Sequence, residues 1–370
     1  MNYCRSCVLP DTRPNLVIGD DGVCNACRNH RSRKDIDWRA REHDFRAVVA
    51  DAKARSTGYD CLIPVSGGKD STWQVVTCLE RGLNPLCVTW KTPVRTAIGQ
   101  RNLDNLVSLG VDHIDYQINP KVERKFILRS LEKYGTPAIP MHMAIFSAPL
   151  RLAVALDIPL MVWGENSAFE YGSADEARTG FAIDNEWIRR FGVTHGTTAA
   201  DWVCDELSEK ELTPYFAPPP SASAKVLGIF LGYYFSWDPG TTYRTAREHG
   251  FAAHAEGPRT GLYEYADIDD DFISVHHWMK WYKFGFTRLW DNLSLEIRNN
   301  RITRAEAIRI IAERGDETPR EDIDKLCAYL GITGERLFEI AESFRDREIW
   351  KKRNGRWIID GFLAPDWKWT

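Results

Sequence analysis

The stretch Asp60-Cys61-Leu62-Ile63-Pro64-Val65-Ser66-Gly67-Gly68-Lys69-Asp70-Ser71-Thr72 decides the reading of this 370-residue chain. Its apolar half is short and reads as a buried strand. Ser-Gly-Gly follows at once, and Thr72 to Arg81 has helical spacing closed by Gly82. A strand that passes through glycines into a helix presents a concave row of backbone N–H groups and the positive end of the helix dipole, where an anion sits well. Two glycines let the backbone approach phosphate oxygens, Lys69 adds a point charge, and Ser66 and Ser71 add hydroxyl donors. The P-loop pattern G-x-x-x-x-G-K-[ST] is excluded, because Asp70 follows Lys69 and no glycine stands at the required upstream position. Pro64 removes a ladder donor from a central strand, so a bulge or an early end to pairing is expected there.

Outward from this loop, strands at 85–90, 113–117 and 160–163 alternate with helices around 100–109 and 144–156. The expected fold class is α/β, a doubly wound parallel sheet. Residues 28–58 are polar and rich in arginine. Past about residue 215 the character changes: Pro218-Pro219-Pro220 marks a break, 225–235 is apolar and aromatic, and 276–295 is a Trp-rich helical stretch. Thr303-x-x-Glu306 and Thr318-Pro319-x-Glu321 read as capping boxes, and Asn354-Gly355 between Arg353 and Arg356 as a closing hairpin.

Cys4, Cys7, Cys24 and Cys27 form a C-x2-C-x16-C-x2-C array. That spacing suits a structural Zn2+ held by four thiolates, with an iron–sulfur cluster as the competing metal reading. The expected division is 1–35, a four-cysteine zinc ribbon; 36–215, the α/β domain; and 216–370, a mainly helical region.

Composition narrows the function. Forty-eight Lys and Arg against 52 Asp and Glu give a formal net charge of −4, which speaks against a dedicated nucleic-acid binder. At 44% hydrophobic and 27% charged residues, disordered and fibrous classes are excluded. No stretch approaches the ~18 consecutive apolar residues of a membrane span, and Met1 to Arg5 lacks a signal-peptide core, so no membrane association and a cytoplasmic location are expected.

The loop Ser66-Gly67-Gly68-Lys69-Asp70-Ser71 resembles the S-G-G-x-D-S signature of the PP-loop ATP pyrophosphatases, whose fold is adenine nucleotide alpha hydrolase-like. Within that superfamily, the chain from Cys4 to about residue 312 is similar to the N-acetyl sugar amidotransferases of bacterial O-antigen and surface-polysaccharide biosynthesis. The segments that carry this are Cys7-Val8-Leu9-Pro10-Asp11-Thr12, Trp90-Lys91-Thr92-Pro93, Trp163-Gly164-Glu165-Asn166, Glu170-Tyr171-Gly172, Leu231 to Asp238 and Lys283-Phe284-Gly285-Phe286-Thr287-Arg288.

The resemblance implies that an acetamido group on a nucleotide-linked sugar becomes an acetamidino group. The amide oxygen takes AMP from ATP with Mg2+ present, pyrophosphate leaves, and ammonia displaces AMP. It implies nucleotide contacts from Ser66, Gly67, Gly68, Lys69, Asp70, Ser71, Thr72, Val88, Trp90 and Gly164. Catalytic roles are expected of Lys69, Asp70, Glu165, Lys225 and Arg288. Substrate contacts are expected of Asn166, Glu170, Tyr171, Lys283 and Asp291. Gly164-Glu165-Asn166 lies at the carboxyl end of a strand, the rim where such sheets bind ligands.

The sequence shows no glutaminase signature: position 2 is Asn, and the nearest approach to a G-x-C-x-G elbow uses Cys24, already assigned to zinc. A separate glutaminase partner supplying ammonia is expected, and self-association into a homo-oligomer is compatible with the sequence. His276-His277 reads as a helix-surface pair, His142 as core-adjacent, and Tyr233, Tyr234 and Trp237 as a packed aromatic cluster. Two rival readings stand. One is a PP-loop tRNA-thiolating enzyme with a zinc ribbon, which needs a sulfur-handling cysteine pair near the loop. The other is a scaffold that only senses nucleotide.

Overall fold

The computed structural model describes residues 1–164 and 194–369. A five-stranded sheet, all parallel, lies at its centre: β1 (Cys61–Pro64), β2 (Pro85–Trp90), β3 (Asp112–Tyr116), β4 (Leu160–Trp163) and β5 (Leu227–Phe230), in the order β3-β2-β1-β4-β5. The order reverses at β1, so the crevice between β1 and β4 at the carboxyl edge is where such a sheet takes a ligand.

The sheet is buried on both faces because its side chains alternate. Cys61, Ile63 and Cys87 join a core with Val75, Leu103 and Leu106, while Leu62, Leu86 and Val88 join another with Leu150, Ala153 and Met161. Helices α3 (Lys69–Glu80) and α4 (Ala97–Val107) cover the first face, and α6 (Ile139–Ala155) packs on the second. Pro64 is the last residue of β1: its pairing with β2 continues to Val88, but pairing with β4 is confined to Leu62 and Met161. The early end expected of that proline is thus found on the β4 side.

Four elements go beyond the sequence reading. Residues 28–58 hold two helices, α1 (Asn25–Ser32) and α2 (Trp38–Arg55), the latter capped by the Asp37 carboxylate, which accepts from the N–H groups of Arg39 and Ala40. A helix that the reading omitted, α5 (Pro120–Tyr134), starts behind the Asn119 cap and stops at Gly135 in the left-handed region. Strand β5 lies beyond residue 215, where the α/β domain was expected to end, so the sheet is completed from the C-terminal side of the triproline.

The remainder is helical: α7 (Pro239–Glu248), α8 (Phe272–Phe284), α9 (Arg288–Arg298), α10 (Arg304–Arg314), α11 (Arg320–Leu330) and α12 (Gly334–Ser343). Gly285, φ 69°, divides the Trp-rich stretch into α8 and α9. The Thr303–Glu306 capping box forms, whereas α11 begins after Pro319 without a side-chain cap, so the second box does not. β6 (Trp350–Arg353) and β7 (Arg356–Ile359) make the expected hairpin, with Asn354 and Gly355 both at positive φ.

The N-terminal module is not a separate bead. Its four cysteines share one apolar core with Leu289, Trp290 and Leu293 of α9, Ala307 and Ile311 of α10, and Trp367. Trp281 packs edge-on and tilted among Trp290, Trp350, Phe362 and Trp367, which assigns much of the tryptophan content to packing. No helix among the described residues is long and apolar enough to cross a membrane.

Candidate functional site

The phosphate loop follows from local sterics. Gly67 has φ 86°, and a Cβ there would lie 2.7 Å from the Leu103 backbone nitrogen, so this position admits only glycine without displacing α4. Gly68 caps α3 without a side-chain acceptor, which leaves first-turn N–H groups to an anion. The Ser66 N–H donates to Ser71 Oγ at 3.0 Å and the Gly68 N–H to Ser66 Oγ at 3.3 Å, closing the loop on itself.

The loop opens on a cavity of about 1080 Å³. At one end lie Val88, Thr89 and Trp90 of β2, Phe146 and Pro149 of α6, and Trp163-Gly164 at the end of β4. Phe146 and Trp163 have ring centroids 5.0 Å apart. The apolar walls and backbone edges suit a planar base. Trp90 Nε1 donates to Glu123 Oε1 at 3.0 Å, and burial pushes the Glu123 carboxyl up to about 8. In the middle stand Ser66, Asp70 and Ser71.

The far end is cationic. Arg13, Lys280, Lys283 and Arg288 line it, with Asp291 among them only 2% exposed. Arg13 Nε donates to Asp291 Oδ1 at 2.7 Å, and Lys280 Nζ is 3.9 Å from the other carboxylate oxygen. Burial raises the Asp291 carboxyl, but the charges of Arg13, Lys280 and Arg288 outweigh it and hold the group at about 2. Lys280 is pushed down to about 8 by burial, with Asp291 opposing, and Lys283 to about 8 by burial alone. Lys283 Nζ donates to the Tyr134 carbonyl at 2.7 Å.

Four histidines, His142, His195, His276 and His277, also line this cavity. Burial, followed by neighbouring lysine charge, lowers His276 and His277, and His142 and His195 fall mainly by burial. All four are therefore neutral at pH 7. His276 Nδ1 lies 2.7 Å from Thr136 Oγ1, whereas the buried Nδ1 atoms of His142 and His277 have no partner among the described residues. The expectation of a surface pair at 276–277 is corrected: α8 turns both imidazoles inward, and His277 is 7% exposed. His142 likewise lines the cavity.

An acidic loop, Asp267-Ile268-Asp269-Asp270-Asp271, lies against the phosphate loop and the start of α4; Thr96 N–H donates to the Asp269 carbonyl. Asp267 at φ 56° accepts from Thr260 Oγ1 at 2.7 Å and faces Arg288 Nε at 3.4 Å. Burial raises its carboxyl, and Arg288 and His277 more than reverse this, so it stays ionised. Asp270 is pushed up to about 7 by burial, partly offset by bonds from Thr92 and the Phe272 N–H.

Of the residues expected at the site, Ser66, Asp70, Ser71, Val88, Trp90, Gly164, Lys283, Arg288 and Asp291 line this one cavity. Gly68 and Lys69 line a smaller adjoining hollow of about 140 Å³. There Lys69 Nζ pairs with the Asp70 carboxylate and lies 5.4 Å from the Trp237 ring centroid, and Trp237 Nε1 donates to Asp70 Oδ1 at 3.0 Å. Thr72 is fully buried, its hydroxyl donating to the Gly68 carbonyl. Lys225 is corrected: it is exposed and precedes β5, which places it at the amino edge of the sheet, opposite the cavity. Glu165, Asn166, Glu170 and Tyr171 lie outside the described residues.

The reading missed Arg13, the histidines as cavity residues, and the acidic loop; Lys280, whose helical spacing to Lys283 and Asp291 fits either a functional group or a solvated face, lines the cavity. Only the run of four carboxylates in five residues at 267–271 offered a signal in the sequence.

The four cysteine sulfurs lie within 4.8 Å of one another, with Cys4–Cys27 at 4.0 Å and Cys7–Cys24 at 3.8 Å. A Zn–S bond of about 2.3 Å implies tetrahedral edges of about 3.8 Å, so these residues fit one zinc ion. A multi-iron cluster would hold its thiolates further apart. The N–H groups of Ser6, Cys7 and Cys24 all donate to Cys4 Sγ, the pattern that stabilises a metal-bound thiolate.

Residues 256–362 match the family model described as LPS biosynthesis protein WbpG-like, C-terminal domain. No curated protein matches the chain. Among solved structures it is similar to NMN synthetase from Francisella tularensis, with 10% identity over 72% of this chain and 94% of that one and a TM-score of 0.35. A likeness that distant carries no argument about the site.

Proposed function

We propose that this chain is an ATP-dependent amidotransferase acting on an acetamido group of a nucleotide-activated sugar in lipopolysaccharide O-antigen or related glycan synthesis. The observation that carries the reading is the single cavity of about 1080 Å³ in which a base-sized apolar end, a phosphate loop and a cationic end are continuous. It exceeds what one nucleotide fills, and its two ends bid for two anionic substrates. The stretch matching the lipopolysaccharide family model supplies much of the second end: Asp267, His276, Lys280, Lys283, Arg288 and Asp291 all fall within 256–362.

The chemistry balances. The acetamido oxygen attacks the α-phosphorus and the bond to the β-phosphate oxygen breaks, releasing pyrophosphate into the Gly67-Gly68 loop. The amide N–H proton is lost as the C=N bond forms. Ammonia then adds to the imidoyl carbon, one of its protons passes to the sugar nitrogen, and AMP leaves with the former amide oxygen. The product amidinium retains three of the four N–H protons of amide plus ammonia, so one proton is released. Neutral imidazoles at His142, His276 and His277 are in the form that accepts it. Catalysis otherwise is positioning and neutralisation of phosphate charge. Carboxylates at Asp70, Asp267 and Asp269 edge the phosphate region and are the oxygen donors that would hold magnesium, which screens phosphate charge when bound. Ammonia is taken from a separate glutaminase.

The thiolase reading is weaker because none of the described residues lining the cavity is a cysteine; Cys61, Cys78 and Cys87 are in the sheet core. The test is mass spectrometry of the protein with ATP, magnesium, an ammonium salt and a panel of acetamido nucleotide sugars. AMP together with replacement of one oxygen by NH is expected. AMP that appears only with tRNA and a sulfur donor would transfer the assignment to the thiolase, and no AMP in any mixture would favour the nucleotide-sensing scaffold.

A further inference from the structure

The four-cysteine module reaches the cavity through one loop. Thr12 Oγ1 donates to the Phe284 carbonyl at 2.6 Å, and Arg13, Pro14 and Asn15 then line the cationic end. Arg13 meets Asp291 there, the fourth residue of a helix whose apolar side is packed on the cysteines.

On the side of the module, the loop is tied by a residue inside the second metal knuckle, whose N–H also donates to the Val17 carbonyl at 2.9 Å. Asn25 lies between Cys24 and Cys27; its Nδ2 donates to the Asn15 carbonyl at 3.1 Å, and its Oδ1 accepts from the Val17 N–H at 3.2 Å. Asn15 itself is left-handed, φ 64°, so the chain turns sharply at the tether. From the other side Arg304 Nε donates to the Cys7 carbonyl at 2.9 Å, fixing the first knuckle to α10. The order of support therefore runs from the cysteine cage to Asn25, to Asn15, to Arg13, to the cavity wall.

The charge balance of that wall indicates what it meets. Arg13, Lys280, Lys283 and Arg288 face two ionised carboxylates, Asp267 and Asp291, and the two lysines are held near pH 8 by burial. An excess of desolvated positive charge is matched by a bound anion.

We infer that the metal module is a working part of the substrate site: through Asn25 it positions Arg13, and Arg13 sets the affinity of the cationic end for the anionic second substrate, without bearing on ATP. This rests on the proposed function only for the identity of that substrate, a nucleoside-diphosphate sugar. ATP meets the other end, which β1, β2, α3 and β4 build without the module.

Two measurements on the full chain test it. In the first, hydrogen exchange is followed in native protein, in Asn25→Ala, which keeps all four cysteines, and in protein stripped of metal by chelation. Exchange at least about tenfold faster over 12–17 in Asn25→Ala, with 61–75 unchanged, is expected, and chelation should give the same pattern. Unchanged exchange over 12–17 in Asn25→Ala overturns the tether. In the second, calorimetry with UDP-N-acetylglucosamine and with α,β-methylene ATP compares native, Arg13→Ala and Asn25→Ala. One lost charge-assisted contact corresponds to roughly tenfold or more in Kd. The sugar nucleotide should weaken by that factor in both variants, with the ATP analogue within twofold. Equal weakening of both ligands, or of neither, overturns the role of Arg13. Native protein that binds the ATP analogue but no UDP-N-acetylglucosamine overturns the second-substrate assignment here and in the proposed function, while the exchange result decides the tether on its own.

Discussion

Asp291→Asn is the perturbation the structure specifies most closely. The carboxylate is 2% exposed and stands among Arg13, Lys280 and Arg288. A carboxyl carried from its ordinary 3.8 to about 2 prefers its ionised form in the folded state by about 2.5 kcal/mol. Asparagine keeps the volume and one acceptor but removes that preference and leaves Arg13 and Lys280 without their counter-charge, for which roughly 3–5 kcal/mol is typical when one partner of a buried pair is lost. A loss of about 2–4 kcal/mol at pH 7 is expected, read as a lower urea midpoint by tryptophan fluorescence. The sign with pH is fixed, because a depressed carboxyl stabilises above its unfolded value and that contribution disappears as pH falls from about 4 through about 2. If the loss is electrostatic, removing a cation restores part of it. The double variant Asp291→Asn with Lys280→Met should unfold at higher urea than Asp291→Asn alone. A single variant with native stability, or a double variant less stable than the single, refutes the argument that this carboxylate balances the cationic wall.

Gly67→Ala should cost about 1–2 kcal/mol for the left-handed backbone alone, and because the added Cβ meets the Leu103 backbone, binding of an ATP analogue should fall by more than stability does; calorimetry on the folded variant checks this. At pH 4 the Glu123 carboxyl is protonated in the folded chain and largely so in the unfolded one, so Glu123→Gln should leave the melting temperature nearly unchanged there. The native carboxyl, raised from 4.5 to about 8, loses stability as pH climbs between those values, so at pH 9 the variant should be the more stable of the two. Lys280 and Lys283 titrate near 8, below their ordinary 10.5, and the cationic end loses charge above that pH. Affinity for UDP-N-acetylglucosamine should therefore fall between pH 8 and 10, while the penalty of two desolvated ammonium groups is relieved over the same range and stability rises.

The sheet and its loop were legible because their determinants are local. Strands 85–90 and 160–163 have the expected bounds, and β3 is displaced by one residue. The run from Leu62 to Gly68 dictates a buried strand, a left-handed turn and an uncapped helix start with little help from elsewhere. The cationic end was half legible. Lys283, Arg288 and Asp291 drew notice, yet their company, Arg13 from the far end of the chain and the histidines of α6 and α8, depends on packing that no spacing encodes. A pair of adjacent histidines reads as exposed when the helix is taken alone. It reads differently once α8 is inserted between the sheet domain and α11, where neither side faces water freely. Lys225 misled for the opposite reason: a lysine next to an apolar run carries no mark of which strand end it occupies until the strand is known to be parallel to its neighbours.

The shared core of the cysteine module and the C-terminal tail has a consequence for synthesis on the ribosome. Cys4 to Cys27 emerge early, with all four thiolates close enough in sequence to capture metal at once. Their apolar face, however, is covered by Leu289, Trp290, Ala307 and finally Trp367. At translation rates of about 5–20 residues per second, roughly 20–70 s pass between the last cysteine and that tryptophan. Throughout that interval the metal knuckles are complete but their hydrophobic seat does not exist, and the nascent chain carries an exposed sticky surface at its leading end. Growth conditions that slow translation should therefore favour chaperone capture or aggregation of this protein, and a C-terminal truncation should be felt first at the opposite terminus.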